Sequence, residues 1–237
     1  MRDISREGIL LAGAGRALLL QLAHPAVGEG VARHSDFASD PLKRLHGTLT
    51  FIYAVATGTE TDAAAARRAV NHAHAPVRGA TYNAMDPGLQ LWVAATLYDS
   101  AIVVYERTFG SLPDDDAERV YREYAVLGTA LQMPVTLWPA TRADFREYLE
   151  SVPLAVNREV RSIAKTLLSG QGLPWYWRPL VPVARRLTAE LLPPDVRTLY
   201  GMRDAKALDR VIRIYRLMPR WIRHAPQRYY LRRLRLR

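Results

Sequence analysis

The segment His72-Ala-His74-Ala-Pro76-Val-Arg78-Gly79 is the densest cluster of site-grade chemistry in the chain. A neutral imidazole nitrogen can bind a metal, and a guanidinium can hold an anionic group in a fixed fork. Positions 72 and 74 stand about 200° apart on a helix of about 3.6 residues per turn, so the two rings cannot enter one pocket. Pro76 has no N–H for the carbonyl four residues back, so a helix through the histidines must kink or stop there. If it bends and continues, His74 and Arg78 lie one turn apart and can face one cavity. If it stops, the same residues suit a helix C-terminus, where cations complement the dipole. Spacing alone leaves both readings open.

Other chemistries find less support. The chain has no cysteine, which excludes disulfides, Cys-held zinc, iron–sulfur clusters and thiolate-ligated haem. Any metal must be held by His, carboxylate, Tyr or Met. His24, His34, His46 and His224 form no HExxH or ExxH pattern, and no G-x-S-x-G follows a strand. Gly13-Ala-Gly15 lacks the third glycine and the preceding strand of a dinucleotide loop, so it reads as close helix packing. There remain one good candidate ligand, His74, and arginines at 16, 44 and 78 in apolar surroundings. That set suits haem, with an axial imidazole, an apolar helical pocket and guanidiniums for the propionates.

The elements that must position these residues read as helices throughout. The apolar run from Ile9 suggests a helix over 9–33 broken at His24-Pro25, and Asp40-Pro41 caps a helix over 42–56 that stops at Gly58. Thr61 or Asp62 is expected to cap the alanine-rich stretch leading to His74. Asp86-Pro87 starts a buried helix in which Asp99 must be paired, as a network member or as part of a site. Further helices are expected over 114–131, 141–150, 157–168, 180–191, 194–200 and 204–217. No hairpin signals or alternating strands occur, so the chain is all-α. Its 49% hydrophobic content is ample for a core.

A family resemblance sharpens the reading. Leu22-Ala-His24-Pro25, Gly30-Val31, His34-Ser35-x-Phe37, Asp40-Pro41, Arg44-Leu45 and Thr48 resemble the opening of the DUF2236 family, which includes latex-clearing rubber oxygenases and ER-bound MpaB-type oxygenases. His74-x-x-Val77-Arg78-Gly79, Tyr82-x-Ala84-x-Asp86-Pro87, Leu91-Trp92-Val93 and Ala95-Thr96-Leu97-x-Asp99-Ser100 extend the likeness, which covers roughly residues 8 to 150. The resemblance implies a globin-like helical core holding haem b. It implies His74 as iron ligand, Arg78 and Arg44 as haem-binding residues, and Arg44 with Thr48 on the distal side. The family's Arg-x-x-Lys-Thr motif reads Arg44-Leu-His-Gly47-Thr48 here, so a glycine replaces the lysine and the sixth position is expected to be open, filled by water or taken by a neighbour such as His46. Ala94 stands where family members often carry a histidine, and the acidic base of the rubber-cleaving members has no direct match, Glu29 lying only in its region.

The function so implied is a haem-dependent oxygenase that uses dioxygen on an apolar, isoprenoid or lipid-like unsaturated substrate. The alternative is a non-catalytic helical module that binds haem or lipid. The core is expected over 1–170, with a helical extension and basic tail over 171–237. The chain carries 33 Lys and Arg against 23 Asp and Glu, and no acidic residue follows Asp209, so the excess is largely a property of that tail. Trp, Tyr and Leu among its arginines suit contact with an anionic membrane rather than nucleic acid, and a solvated or fold-closing end stands beside that reading. The run Ile9 to Ala23 is too short for a span of about 20 residues, so the expectation is a cytoplasmic protein, at most peripheral to a membrane.

Overall fold

The computed structural model describes residues 1–34, 41–171 and 173–236; side chains are described from Leu45 onward in the second stretch. The Asp40 cap and the Ser35 and Phe37 matches lie outside the described residues. A short α1 (Arg2–Ser5) and a 3-10 helix (Gly8–Gly13) lead into α2 (Ala14–Ala23) and α3 (Pro25–Arg33). Then come α4 (Pro41–Thr57), α5 (Glu60–His74), α6 (Pro87–Phe109), α7 (Asp114–Tyr124) and α8 (Val126–Thr129). The rest is α9 (Arg142–Ser151), α10 (Arg158–Ser169), a 3-10 helix (Trp175–Leu180), α11 (Val181–Leu191), α12 (Pro194–Leu199), α13 (Leu208–Leu217), α14 (Arg220–Arg223) and α15 (Ala225–Arg235). The fold is all-α; one isolated antiparallel bridge, Arg78 to Asn83, is the extended pairing among the described residues.

Local chemistry sets most of the ends. His24 is extended (φ −71°, ψ 123°) and Pro25 opens α3, so the apolar run turns by 97° into α3. Among the described residues no single helix is long and apolar enough to cross a membrane. Asp86 accepts from Leu89 N–H with Pro87 in the first turn, and Asn157 accepts from Val160 N–H. Thr141 and Asp144 form a reciprocal capping box. The box for α5 is Thr59 with Asp62, two residues earlier than Thr61, because only a Thr three residues before the Asp can exchange both bonds. The expected helix over 114–131 divides at Ala125 into α7 and α8.

Helix α6 is central, with α2 and the first 3-10 helix packed along it. Its apolar face joins an aromatic cluster of Tyr98, Tyr121, Trp138 and Phe145, whose ring centroids lie 5.0 to 6.1 Å apart. Asp99 is answered from α2. Arg16 Nη2 stands 2.5 Å from its carboxylate, Nη1 donates to Ser100 at 2.9 Å and Nε to the Leu191 carbonyl at 2.9 Å. The Arg16 guanidinium therefore ties α2, α6 and α11 together and leaves the set of candidate anchors for an anionic ligand. A Cβ on Gly15 would lie 2.0 Å from Thr188 Oγ1, so the glycine pair serves close packing, as its missing dinucleotide context indicated.

Candidate functional site

The site is built at one end of the α4–α5 hairpin. These helices are joined by Gly58-Thr59 and pack on each other, which makes them antiparallel. The first half of α4, with positions 44–48, therefore runs beside the last turn of α5, which ends in His74. Leu45, Gly47 and Thr48 are exposed, and a Cβ added at Gly47 would meet open space. The Arg44 side chain lies outside the described residues. His74 is partly buried, and His72 on the opposite side of the helix is exposed, as the 200° separation requires.

His46 belongs to the other face of α4. Its Nδ1 is 2.7 Å from the hydroxyl of Tyr230 on α15, and the Tyr230 ring stacks on Tyr53, two turns along, at 5.6 Å. Burial pushes the Tyr230 hydroxyl up to about 12, so it stays protonated at neutral pH. The alternation around α4 thus separates His46, turned to the C-terminal helix, from Gly47 and Thr48 on the open side.

Helix α5 does not bend and continue. After Ala75 and Pro76 the chain folds into a tight hairpin: Val77 N–H donates to the His74 carbonyl at 2.9 Å, Gly79 N–H to Tyr82 at 2.8 Å and Ala84 N–H to Val77 at 2.9 Å. Arg78 is exposed on this hairpin. The one-turn helical relation between His74 and Arg78 is therefore replaced by a turn, because Pro76 cannot supply the next helical donor. Tyr82 folds back over Gly79, where a Cβ would stand 2.6 Å from the ring, and Gly79 is needed for that fold.

Two sets of bonds fix the hairpin. On one side Thr81 donates to Glu29 of α3 at 2.6 Å, and the Tyr82 ring meets His34 edge-on at 5.8 Å. On the other, Gln90 Nε2 donates to Ala84 O at 3.2 Å and to Gln132 Oε1 at 2.5 Å, and Gln132 Nε2 donates to Asn71 Oδ1 at 3.0 Å. Asn71 lies three residues before His74. This chain of amides joins the last turn of α5, the end of the hairpin and the start of α6. Glu29 also lines a cleft of about 280 Å³ with Arg33, Asn157 and Glu159. Glu29 is thus engaged by Thr81 at the base of the hairpin that carries Arg78.

Reasoning from the sequence missed three participants. Tyr230 and the Gln90–Gln132–Asn71 chain leave no local signal, because their partners are remote in sequence. For His24, which belongs to the Leu22-Ala-His24-Pro25 match and to the helix break, only the surroundings of its ring are without a local signal. Its ring lies 5.9 Å from Trp92, its Nδ1 is buried without a hydrogen-bond partner among the described residues, and burial holds its pKa below the ordinary value.

Comparison with known proteins gives these observations a context. The model for "ER-bound oxygenase mpaB/B'/Rubber oxygenase, catalytic domain" matches residues 1–224. The uncharacterized proteins Mb2261 of Mycobacterium bovis and Rv2237 of Mycobacterium tuberculosis are each 35% identical to the chain over 223 residues, covering 87% of it and 88% of their own length. No solved structure matches the chain. An all-helical chain with this motif order, matched from its first residue through α14, belongs to the family of ER-bound mpaB-type and rubber oxygenase catalytic domains.

Proposed function

We propose that this protein is a haem-b-dependent oxygenase that uses dioxygen on an apolar, unsaturated substrate of isoprenoid or lipid-like character. The family is one of oxygenase catalytic domains; the haem, the substrate class and the residue roles are our reading. The observation that carries it is the α4–α5 hairpin, which sets positions 44–48 beside the helix end that carries His74.

The donor set fits this cofactor. Among the described residues no three His, Asp or Glu side chains converge to hold an ion. A single imidazole suffices for a metal whose other donors come with a macrocycle. His74 would ligate the iron, and Arg78 and Arg44 would pair with the propionates. Bound haem would supply the iron at which dioxygen is activated. The chain's own part is to hold and orient. The amide chain through Asn71 holds the last turn of α5, the Thr81–Glu29 bond holds the Arg78 hairpin, and Gly47 leaves open volume on the Thr48 side of α4. Thr48 would offer its hydroxyl as a hydrogen-bond donor in this reading. The globin-like character of the core belongs to the same proposal.

The test is the visible spectrum of the purified protein, supplemented with haemin, for wild type and His74→Ala. The expected result is a Soret band that shifts with carbon monoxide after reduction and is lost in the variant, with helix content unchanged by circular dichroism. A folded wild type that takes up no haemin would overturn the reading. The second reading, a non-catalytic haem- or lipid-binding module, is favoured by Ala94, a buried methyl in α6 where the resembling family carries an imidazole. Oxygen consumption with an unsaturated lipid, dependent on His74, would exclude it.

A further inference from the structure

The C-terminal segment is folded, and its packing separates structural arginines from available ones. Arg216 donates to the Thr108 carbonyl, Arg223 pairs with Glu7 at 3.1 Å, and Arg235 forks onto Asp62 at 2.7 Å. These three close the fold. Arg210, Arg213, Arg220, Arg228, Arg232 and Arg233 have no carboxylate partner among the described residues, and the sequence after Asp209 supplies none nearby. Large apolar side chains stand out among them. Leu217, the last residue of α13, is 83% exposed, Trp221 is 66% exposed on α14, and Leu236 is 77% exposed beyond α15. Arg228 donates to the Trp221 carbonyl, which joins the α14 and α15 parts of the surface. A shallow groove of about 580 Å³ runs along α15, lined by Arg228, Tyr229, Leu231, Arg232, Arg235 and Leu236.

We infer that this face, from α13 to α15, docks on the surface of an anionic lipid bilayer. Charge complementarity selects a polyanionic partner, and the projecting aliphatic and indole groups select among polyanions. A nucleic-acid backbone offers phosphates but nothing to receive Leu217 at the end of α13. A bilayer interface offers phosphates at the level of the guanidiniums and acyl chains just below for Leu217, Trp221 and Leu236. The inference does not depend on the haem reading, since none of these residues belongs to the α4–α5 site.

Removing the tail would not test it, because Tyr230 and Leu231 are buried and Arg235 ties α5. Exposed point changes do. The full chain is mixed with phosphatidylcholine vesicles with and without phosphatidylglycerol and followed by co-sedimentation, for wild type, Leu217→Ala/Trp221→Ala and Arg213→Gln/Arg220→Gln. Melting curves check that the variants remain folded. Wild type should bind only the phosphatidylglycerol vesicles, more weakly as salt rises, and each double variant should bind about tenfold more weakly or less. Absence of binding overturns the proposal, as does binding that ignores Leu217 and Trp221. Two further outcomes also overturn it. One is duplex DNA binding that is lost in the arginine variant while vesicle binding is absent. The other is a wild-type dimer in light scattering that the Leu217/Trp221 variant abolishes, which would assign the face to a second copy of the chain.

Discussion

The two ends of α5 are built in opposite ways. At the start, Thr59 and Asp62 exchange both bonds of a capping box, and the Arg235 fork covers the same carboxylate, which is held well below the usual carboxylate range. At the far end, His74 and Arg78 meet a turn, an open α4 face and a hairpin held from its sides. The difference is that one end of α5 is held by a cap and an ion pair and the other by a turn and a chain of amides. The closed end fixes the start of the helix, and the amide chain through Asn71 holds its last turn.

That contrast can be broken from the closed end. Asp62→Ala removes the box and leaves Arg235 without its carboxylate, and should cost about 2–3 kcal/mol in urea unfolding. A loss as small as that of an ordinary surface substitution would show that the closed end is not what holds α5. At the open end, Gly79→Ala drives a methyl into the Tyr82 ring and should cost about 1–2 kcal/mol. It should weaken haemin uptake more than Asp62→Ala does at temperatures where both remain folded; equal uptake would separate the hairpin from the site.

A smaller effect is titratable. The pKa of His24 is depressed by burial in the fold, so protonation favours the unfolded chain. Its stabilising contribution is therefore complete above about pH 6.5 and is lost as pH falls through the lower folded value. His24→Gln should flatten this limb of the stability curve, leaving the acid transition of carboxylates such as Glu7. For Glu7, burial raises the pKa but is outweighed by bonds from Tyr215 and His224 and by the charge of Arg223, so stability falls only at lower pH. An unchanged limb in the variant would assign it to another group. The smallest change is expected at His74 itself. His74→Ala should alter unfolding by less than about 1 kcal/mol while abolishing the haem spectrum, and a large destabilisation would make the residue part of the frame.

Legibility in the sequence followed the range of the interaction. Asp86-Pro87, Thr141 with Asp144, and Asn157 mark helix starts because a cap satisfies its partner within three residues. The His24-Pro25 break is legible because a proline opens a helix and keeps the residue before it extended. The division at Ala125 was not, because no Pro or Gly marks it. Asp99 was legible as a carboxylate in need of a partner, but Arg16 as that partner was not, since it comes from another helix. Of the candidate site, the sequence placed His74 and the stop at Pro76 within reach of inference. The turn of Arg78 onto a hairpin and the facing of His46 toward Tyr230 depend on contacts made across the fold.

The distance along the chain between α4 and α15 has a kinetic meaning. His46 and Tyr230 are 184 positions apart, and Asp62 and Arg235 are 173 apart. During synthesis the α4–α5 hairpin emerges early and remains without its rear support until α15 has been made. The nascent protein therefore passes through a stage in which the helices bearing the candidate ligand exist but are not yet locked, and chaperones would meet them in that form.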